Sequence, residues 1–328
     1  MNDHSETKKF NFLASIDDLL PVIISLGVLF IALALTRSKV FLTGQTAPNI
    51  LLAATTTGMM GVGMTFLLSS GNFDLSGGAA ICLLGVLTAD WVVNKNMPVW
   101  LAILLAFVIG ILIGAFNGFM IAYVRLNAFI TTMATMNIFR GAALMYTKGA
   151  TVFSIPKAYT QFGDGKLFGK IPMPIVIMVI MFIIGHIVLS KTVFGHKVMA
   201  VGGNREAARL AGINIPVMQM AVYIIAGFGY AVTSIVYTGR IGSALTNACD
   251  GVEMNAIAGI VIGGCSMAGG KGSMIGTFLG VVMMAMLNTG ITLWGVNSYI
   301  IKCVQGGALL IAITIDMVRT LIKEKKKY

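Results

Sequence analysis

Ten stretches of this chain are apolar and separated by short polar segments. They cover residues 19–35, 49–68, 75–93, 98–124, 128–147, 172–190, 216–238, 254–268, 273–293 and 297–318. A helix rises about 1.5 Å per residue, so about 20 residues cross the hydrocarbon of a bilayer. The pattern predicts an all-α polytopic integral membrane protein with about ten transmembrane helices, organised as one transmembrane domain over residues 1–328. The run at 254–268 is short and rich in glycine. It leaves two readings open, a full crossing or a broken, re-entrant helix. The longest polar insert, Lys148 to Ile171, is too small for a separate soluble domain.

Composition strengthens the membrane reading. Hydrophobic residues make up 57% of the chain and charged residues only 11%, against about 25% charged in soluble domains. The net charge of +11 is therefore read as loop asymmetry rather than as a nucleic-acid surface. Arg319, Lys323, Lys325, Lys326 and Lys327 place the tail, 319–328, in the cytoplasm. An even number of spans then returns the N-terminal segment, 1–18, with Lys8 and Lys9, to the same side. The 191–215 loop, carrying Lys191, Lys197, Arg205 and Arg209, also falls there. Lys148, Lys157, Lys166 and Lys170 oppose this orientation from the outer side. Ala32-Leu33-Ala34 loosely resembles a signal-peptide cleavage site, but Asp17 and Asp18 abut the apolar run where a signal peptide carries positive charge. Leu19 to Leu35 therefore reads as a retained span. Cys82, Cys249, Cys265 and Cys303 lack metal-ligand spacing, and the three histidines form no HExxH pair.

One polar stretch stands apart: "VGGNREAARLAGINIP", Val201 to Pro216. Asn204 suits an N-cap, Glu206 complements the positive end of a helix dipole, and Arg209 lies toward the negative end. Gly212 can close the helix in a left-handed conformation, and Pro216 can open the next span. The two turns so defined are too short to stand alone. Ala207, Ala208 and Leu210 form too small an apolar face for membrane burial, which calls for Trp, Phe and Leu. Small residues among charges suit a groove on another protein better.

Four segments carry a family resemblance. "GGNREAARLAGI" resembles the cytoplasmic coupling loop of ABC importer permeases, which docks into the ATP-hydrolysing subunit. "GMTFLLSSGNFDLSGGAAICLLGVLTA" (Gly63 to Ala89), "NGFMIAYVRLNAFITTMATMNIFRGAAL" (Asn117 to Leu144) and "VEMNAIAGIVIGGCSMAGGKGSMIGTFLG" (Val252 to Gly280) are similar to segments of the ribose-type sugar permeases. Asn72-Phe73 stands where that family usually has Gly-Ile, Asn255 where it often has Asp, and Lys271 where it often has Arg.

The resemblance implies a permease in the bacterial cytoplasmic (inner) membrane, paired with a second copy or a close paralogue. Two ABC ATPase subunits would supply ATP hydrolysis, and an extracytoplasmic solute-binding protein would deliver a small polar solute, a monosaccharide first. Nucleosides or a sugar-like signalling molecule are also compatible. The coupling residues would be Gly203, Asn204, Arg205, Glu206, Ala207, Ala208, Arg209 and Gly212. ATP and magnesium would sit on the partner, and this chain would bind no cofactor. "GGCSMAGGKGS" fails as a phosphate loop, since aligned on Lys271 its first position is Cys265 and its last Gly272. It reads instead as a glycine-rich break, with Ser273 capping the following helix.

Candidate pathway or gate residues follow from the cost of polarity in a membrane. Asp74, in "SSGNFDLSGG", either caps the next helix with Ser76 or serves the pathway, and Asn72 accompanies it. Arg140 lies well inside a span and needs an acidic or carbonyl partner, or a watery cavity. Asp74 and Glu253 are its acidic candidates. Asn117, Asn137, Asn288 and Gln305, and with them Asn255, add hydrogen-bonding groups that could line a polar path or join helices. An ion-coupled secondary transporter is the rival reading and would need a relay built almost entirely from Asp74, Arg140 and Glu253. An embedded enzyme would need a nucleophile or metal cluster, which the sequence lacks.

Overall fold

The structure is a computed structural model that describes residues 3–296 and 298–325. Helix α1 (Asp3–Thr36) and the single turn α2 (Ser38–Phe41) lead to α3 (Thr46–Ser69) and α4 (Gly77–Val93). Next come α5 (Val99–Ala122) and α6 (Ala128–Thr147). A small polar segment then holds α7 (Lys157–Asp164) and the antiparallel pair β1 (Lys166–Leu167) and β2 (Ile171–Pro172). Helix α8 (Met173–Lys191) precedes two short helices, α9 (Val193–Gly203) and α10 (Arg205–Leu210). Then follow α11 (Ile215–Ile241), α12 (Val252–Ile262), α13 (Met274–Leu293) and α14 (Ser298–Lys325). Lys326 and Lys327 of the basic tail lie outside the described residues.

The chain is an all-α polytopic membrane protein. Each of the ten apolar runs falls on a helix, but among the described residues six rather than about ten are long and apolar enough to cross a bilayer by themselves. These are Leu19–Thr36, Thr46–Ser69, Val99–Ala122, Met173–Lys191, Ile215–Ile241 and Met274–Leu293. The others fall short for separate reasons. Helices α4 and α12 are interrupted, with 17 and 11 residues. Helix α6 is diluted by Thr131, Thr132, Thr135, Asn137 and Arg140, and the apolar stretch described in α14 is the shorter Ile300–Ile311. The 254–268 run is a broken helix, since Gly263 and Gly264 end α12 well before its apolar run stops.

Helix α11 is the centre of the bundle, packed on α3, α4, α5 and α7. Gly110, Gly114 and Gly118 form a small-xxx-small ridge on α5, and Gly227 answers it from α11. A methyl group on Gly114 would overlap the Tyr223 carbonyl, and one on Gly227 would overlap the Gly110 carbonyl. Lipid offers no hydrophobic drive between helices, so such backbone approach is a principal source of their association. Gly259 and Gly263 of α12 meet Gly280 and Gly276 of α13 in the same way. Outward positions remain apolar; Leu104, Leu112, Ile180, Ile184 and Ile187 are exposed, as lipid contact requires.

The two interrupted helices begin inside the bundle. Gly77, the first residue of α4, lies against Met60 of α3 and Tyr230 of α11. Met60 is nine residues from the α3 terminus, roughly 14 Å along the helix axis. Gly78 then meets Glu253 and the Cys249 carbonyl at the start of α12. Thus the N-termini of α4 and α12 face each other, reached by irregular backbone at 70–76 and 242–251. Irregular backbone is tolerated at such depth only when surrounded by protein or lining a cavity.

Candidate coupling site and polar interior

Local chemistry builds the 204–212 segment as its sequence predicts. Asn204 is extended and its Oδ1 accepts from the Ala207 amide at 3.0 Å. Arg209 donates to Glu206 at 2.8 Å, one turn apart on an exposed face. Gly212 has φ +79°, and it donates to the Arg209 carbonyl while Ile213 donates to Ala208. That pair of bonds closes the helix. Asn214 then caps α11, accepting from the Val217 amide at 3.3 Å, with Pro216 in the first turn. Arg205, Glu206, Ala207 and Arg209 are exposed, and Leu210 is 83% exposed at the tip. Only Ala208 turns inward, at 4%.

The arm carrying this helix touches the bundle through backbone. Gly202, at the end of α9, lies against the Ser69 carbonyl at the end of α3 and the Gly270 amide of the glycine-rich loop. Gly270 itself donates to Ser69 at 2.9 Å. Gly71 and Gly269 adjoin the same point, both with left-handed backbone, φ +71° and +89°. Beyond the loop, Ser273 caps α13, accepting from the Gly276 amide at 3.0 Å.

From this junction the 70–76 segment runs into the interior, where four of the candidate residues meet. Asp74 is fully buried. Its Oδ1 accepts from the Ser76 amide at 2.7 Å and the Ser76 hydroxyl at 2.6 Å. Its Oδ2 accepts from Tyr230 at 3.1 Å and from Asn117 at 3.4 Å. Asn117 also donates to Ser76 Oγ at 2.9 Å. Asn72 Oδ1 accepts from Gln219 at 3.3 Å, and Tyr223 donates to the Phe73 carbonyl at 2.9 Å. Asp74 thus holds the Ser76 turn just ahead of α4, which has no side-chain cap of its own, and the same carboxylate ties that turn to α5 and α11. Burying this carboxyl costs desolvation, and its hydrogen bonds offset part of that cost.

The remaining candidates lie elsewhere. Arg140 donates to the Ala248 carbonyl at 2.8 Å and the Thr246 carbonyl at 3.3 Å, so its partners are backbone oxygens of the 242–251 segment rather than Asp74. Glu253 is buried at the head of α12 against Gly78, and Asn255 follows half a turn later. Asn137 is exposed and bonds back to the Met133 carbonyl within α6, away from the buried cluster.

Sequence reading missed Gln219, Tyr223 and Tyr230, which hold the cluster from α11. Their spacing of four and seven residues puts all three on one helix face, and that stripe within an apolar span was the available signal.

The comparisons with known proteins fix the class. Residues 46–313 match the family described as branched-chain amino acid transport system / permease component. The chain is 36% identical over 314 residues to the ribose import permease protein RbsC of Bacillus subtilis (strain 168), covering 95% of this chain and 96% of that protein. RbsC of Escherichia coli (strain K12) is 36% identical over 296 residues, 88% of this chain and 91% of its own. The xylose transport system permease protein XylH of the same strain is 30% identical over 341 aligned positions, 86% of this chain and 87% of that protein. No solved structure matches the chain. The chain belongs to this family of transport-system permease components.

Proposed function

We propose that the chain forms the membrane pathway of an ATP-driven importer for a monosaccharide. The observation that carries the reading is the exposed Arg205–Leu210 helix, mounted on the backbone junction of Ser69, Gly202 and Gly270. The identity to ribose and xylose permeases along nearly the whole chain supports a sugar as the solute. ABC ATPase subunits dock on the coupling residues, a second permease copy or close paralogue completes the pathway, and an extracytoplasmic binding protein delivers the sugar. ATP binding shifts α10, and the junction passes that shift to α3 and to the loop before α13. Such coupling requires the ATPase to hold α10 differently in its two states.

In this reading the chain crosses the bacterial inner membrane ten times, with α4 and α12 as interrupted crossings. The grouping of loops at opposite ends supports it. Gly71, Gly202 and Gly270 meet at one end, assigned to the cytoplasm. Arg37 and Thr36 bond to Trp294, and Val152 pairs with Ala244, at the other. Asn72, Asp74, Ser76 and Asn117 transmit or gate the movement. Arg140, Glu253 and Asn255 shape the outer approach, and Asn137 faces away from both.

The test is purification of the tagged permease in mild detergent, wild type beside the Glu206→Lys, Ala207→Asp double variant. An ABC ATPase that accompanies wild type and is lost with the variant supports the reading. Normal insertion with no ATPase on either protein overturns it.

A further inference from the structure

A cavity of about 760 Å³ opens beside the coupling helix, within the range of small-ligand sites. Its wall is the 71–73 backbone, the turn between α5 and α6, α10 and the start of α11. Three arginines line it, Arg125, Arg205 and Arg209, and no acidic residue stands among its lining residues. Arg209 is shared with Glu206, whereas Arg125 and Arg205 make no ion pair among the described residues. The N-termini of α6 and α11, capped by Asn127 and Asn214, adjoin the same space and add positive potential. Phe73, Phe129 and Ile215 supply an apolar wall beneath this rim.

We propose that the cavity binds the phosphate group of a phosphate ester, held between Arg125 on one side and the coupling-helix arginines on the other. Guanidinium forks match phosphate oxygens in pairs and hold charge without risk of deprotonation. The apolar wall takes the body of the ester. Because the two sets of arginines belong to different elements, the bound anion ties α10 to the α5–α6 turn and restrains the coupling helix. Two sources carry this chemistry at a membrane surface, the headgroup of an anionic phospholipid and a soluble sugar phosphate. The inference rests on the proposed placement of this end in the cytoplasm for its physiological meaning, but binding itself can be measured without transport.

The experiment uses the full-length permease in nanodiscs of zwitterionic phosphatidylcholine, titrated calorimetrically with a pentose phosphate and with inorganic phosphate. A parallel preparation contains phosphatidylglycerol, and lipid retained after detergent extraction is counted by native mass spectrometry. Arg125→Gln is the principal variant because it lies outside the coupling helix. Arg125→Lys keeps the charge and loses the fork, so it reports if the Gln variant fails to fold. Soluble ester binding that weakens about tenfold in Arg125→Gln, with an intermediate value for Lys, supports the proposal and names a metabolite. Phosphatidylglycerol retained by wild type and lost from the variants supports it and names a lipid. Binding of neither, or binding unchanged by the variants, overturns it whatever the outcome of the ATPase test. It is also overturned if Arg125→Gln releases the ATPase while leaving phosphate binding intact, since the arginines would then serve that partner.

Discussion

Replacing Gly202 by alanine tests the backbone junction directly. A Cβ there would lie 2.5 Å from the Gly270 amide nitrogen and closer still to the Ser69 carbonyl, where ordinary contact begins at 3.4 Å. Neither obstacle is a side chain that can rotate away. The arm must retreat by roughly 1 Å, and overpacking of this kind costs about 1–3 kcal/mol. The neighbour provides the steric comparison: a Cβ on Gly203 would meet only the Gly270 Cα, at 3.7 Å, so Gly203→Ala is expected to leave the backbone junction undisturbed. The assay is the reconstituted transporter in proteoliposomes, with sugar uptake and ATP hydrolysis followed together. Gly202→Ala is expected to assemble with the ATPase, keep basal hydrolysis, and lose at least tenfold in uptake per ATP. Equal uptake per ATP for Gly202→Ala, Gly203→Ala and wild type would refute the argument that motion passes through this contact.

Three further outcomes are expected. Tyr230→Phe removes one donor from Asp74 and should cost about 1–3 kcal/mol, whereas Asp74→Ala strands Ser76, Asn117 and Tyr230 together and should cost about 3–5 kcal/mol; unfolding in mixed micelles by a graded denaturant ranks the two. Arg140→Gln frees the Thr246 and Ala248 carbonyls, so hydrogen exchange across 242–251 should rise several-fold while exchange in α5 stays unchanged. Asn204→Ala removes the cap of α10 at about 1 kcal/mol, roughly a fivefold loss in ATPase affinity by surface plasmon resonance, and Asn204→Asp should restore it.

The Arg205–Leu210 helix was legible because its signals are local. A cap, a dipole-matched ion pair and a closing glycine lie within nine residues, from Asn204 to Gly212. The apolar runs were equally plain, since period and length suffice to mark a helix. Their count as crossings was less so, because α4 and α12 are cut short by partners distant in sequence. Gly77 stops at Met60 and Tyr230, and Gly78 stops at Glu253. Asp74 was visible as an expensive group, but its donor on α11, Tyr230, lies 156 residues away. Arg140 illustrates the same limit: sequence could demand a partner but could not choose between a carboxylate and two carbonyls.

The facing N-termini of α4 and α12 also bear on how the chain is made. Gly78 emerges from the ribosome 175 residues before Glu253, which it meets in the finished bundle. At about 5–20 residues per second, α4 waits roughly 10–35 s for the helix that covers its inner end. During that interval Cys82 lacks the Leu245 and Thr246 carbonyls that later receive its thiol, and Arg140 lacks its own. A chain released before residue 252 should therefore be inserted yet open at its centre, and membrane proteases should remove it sooner than the full-length protein. Pulse-chase of chains ending at 241 and at 270 would time that closure.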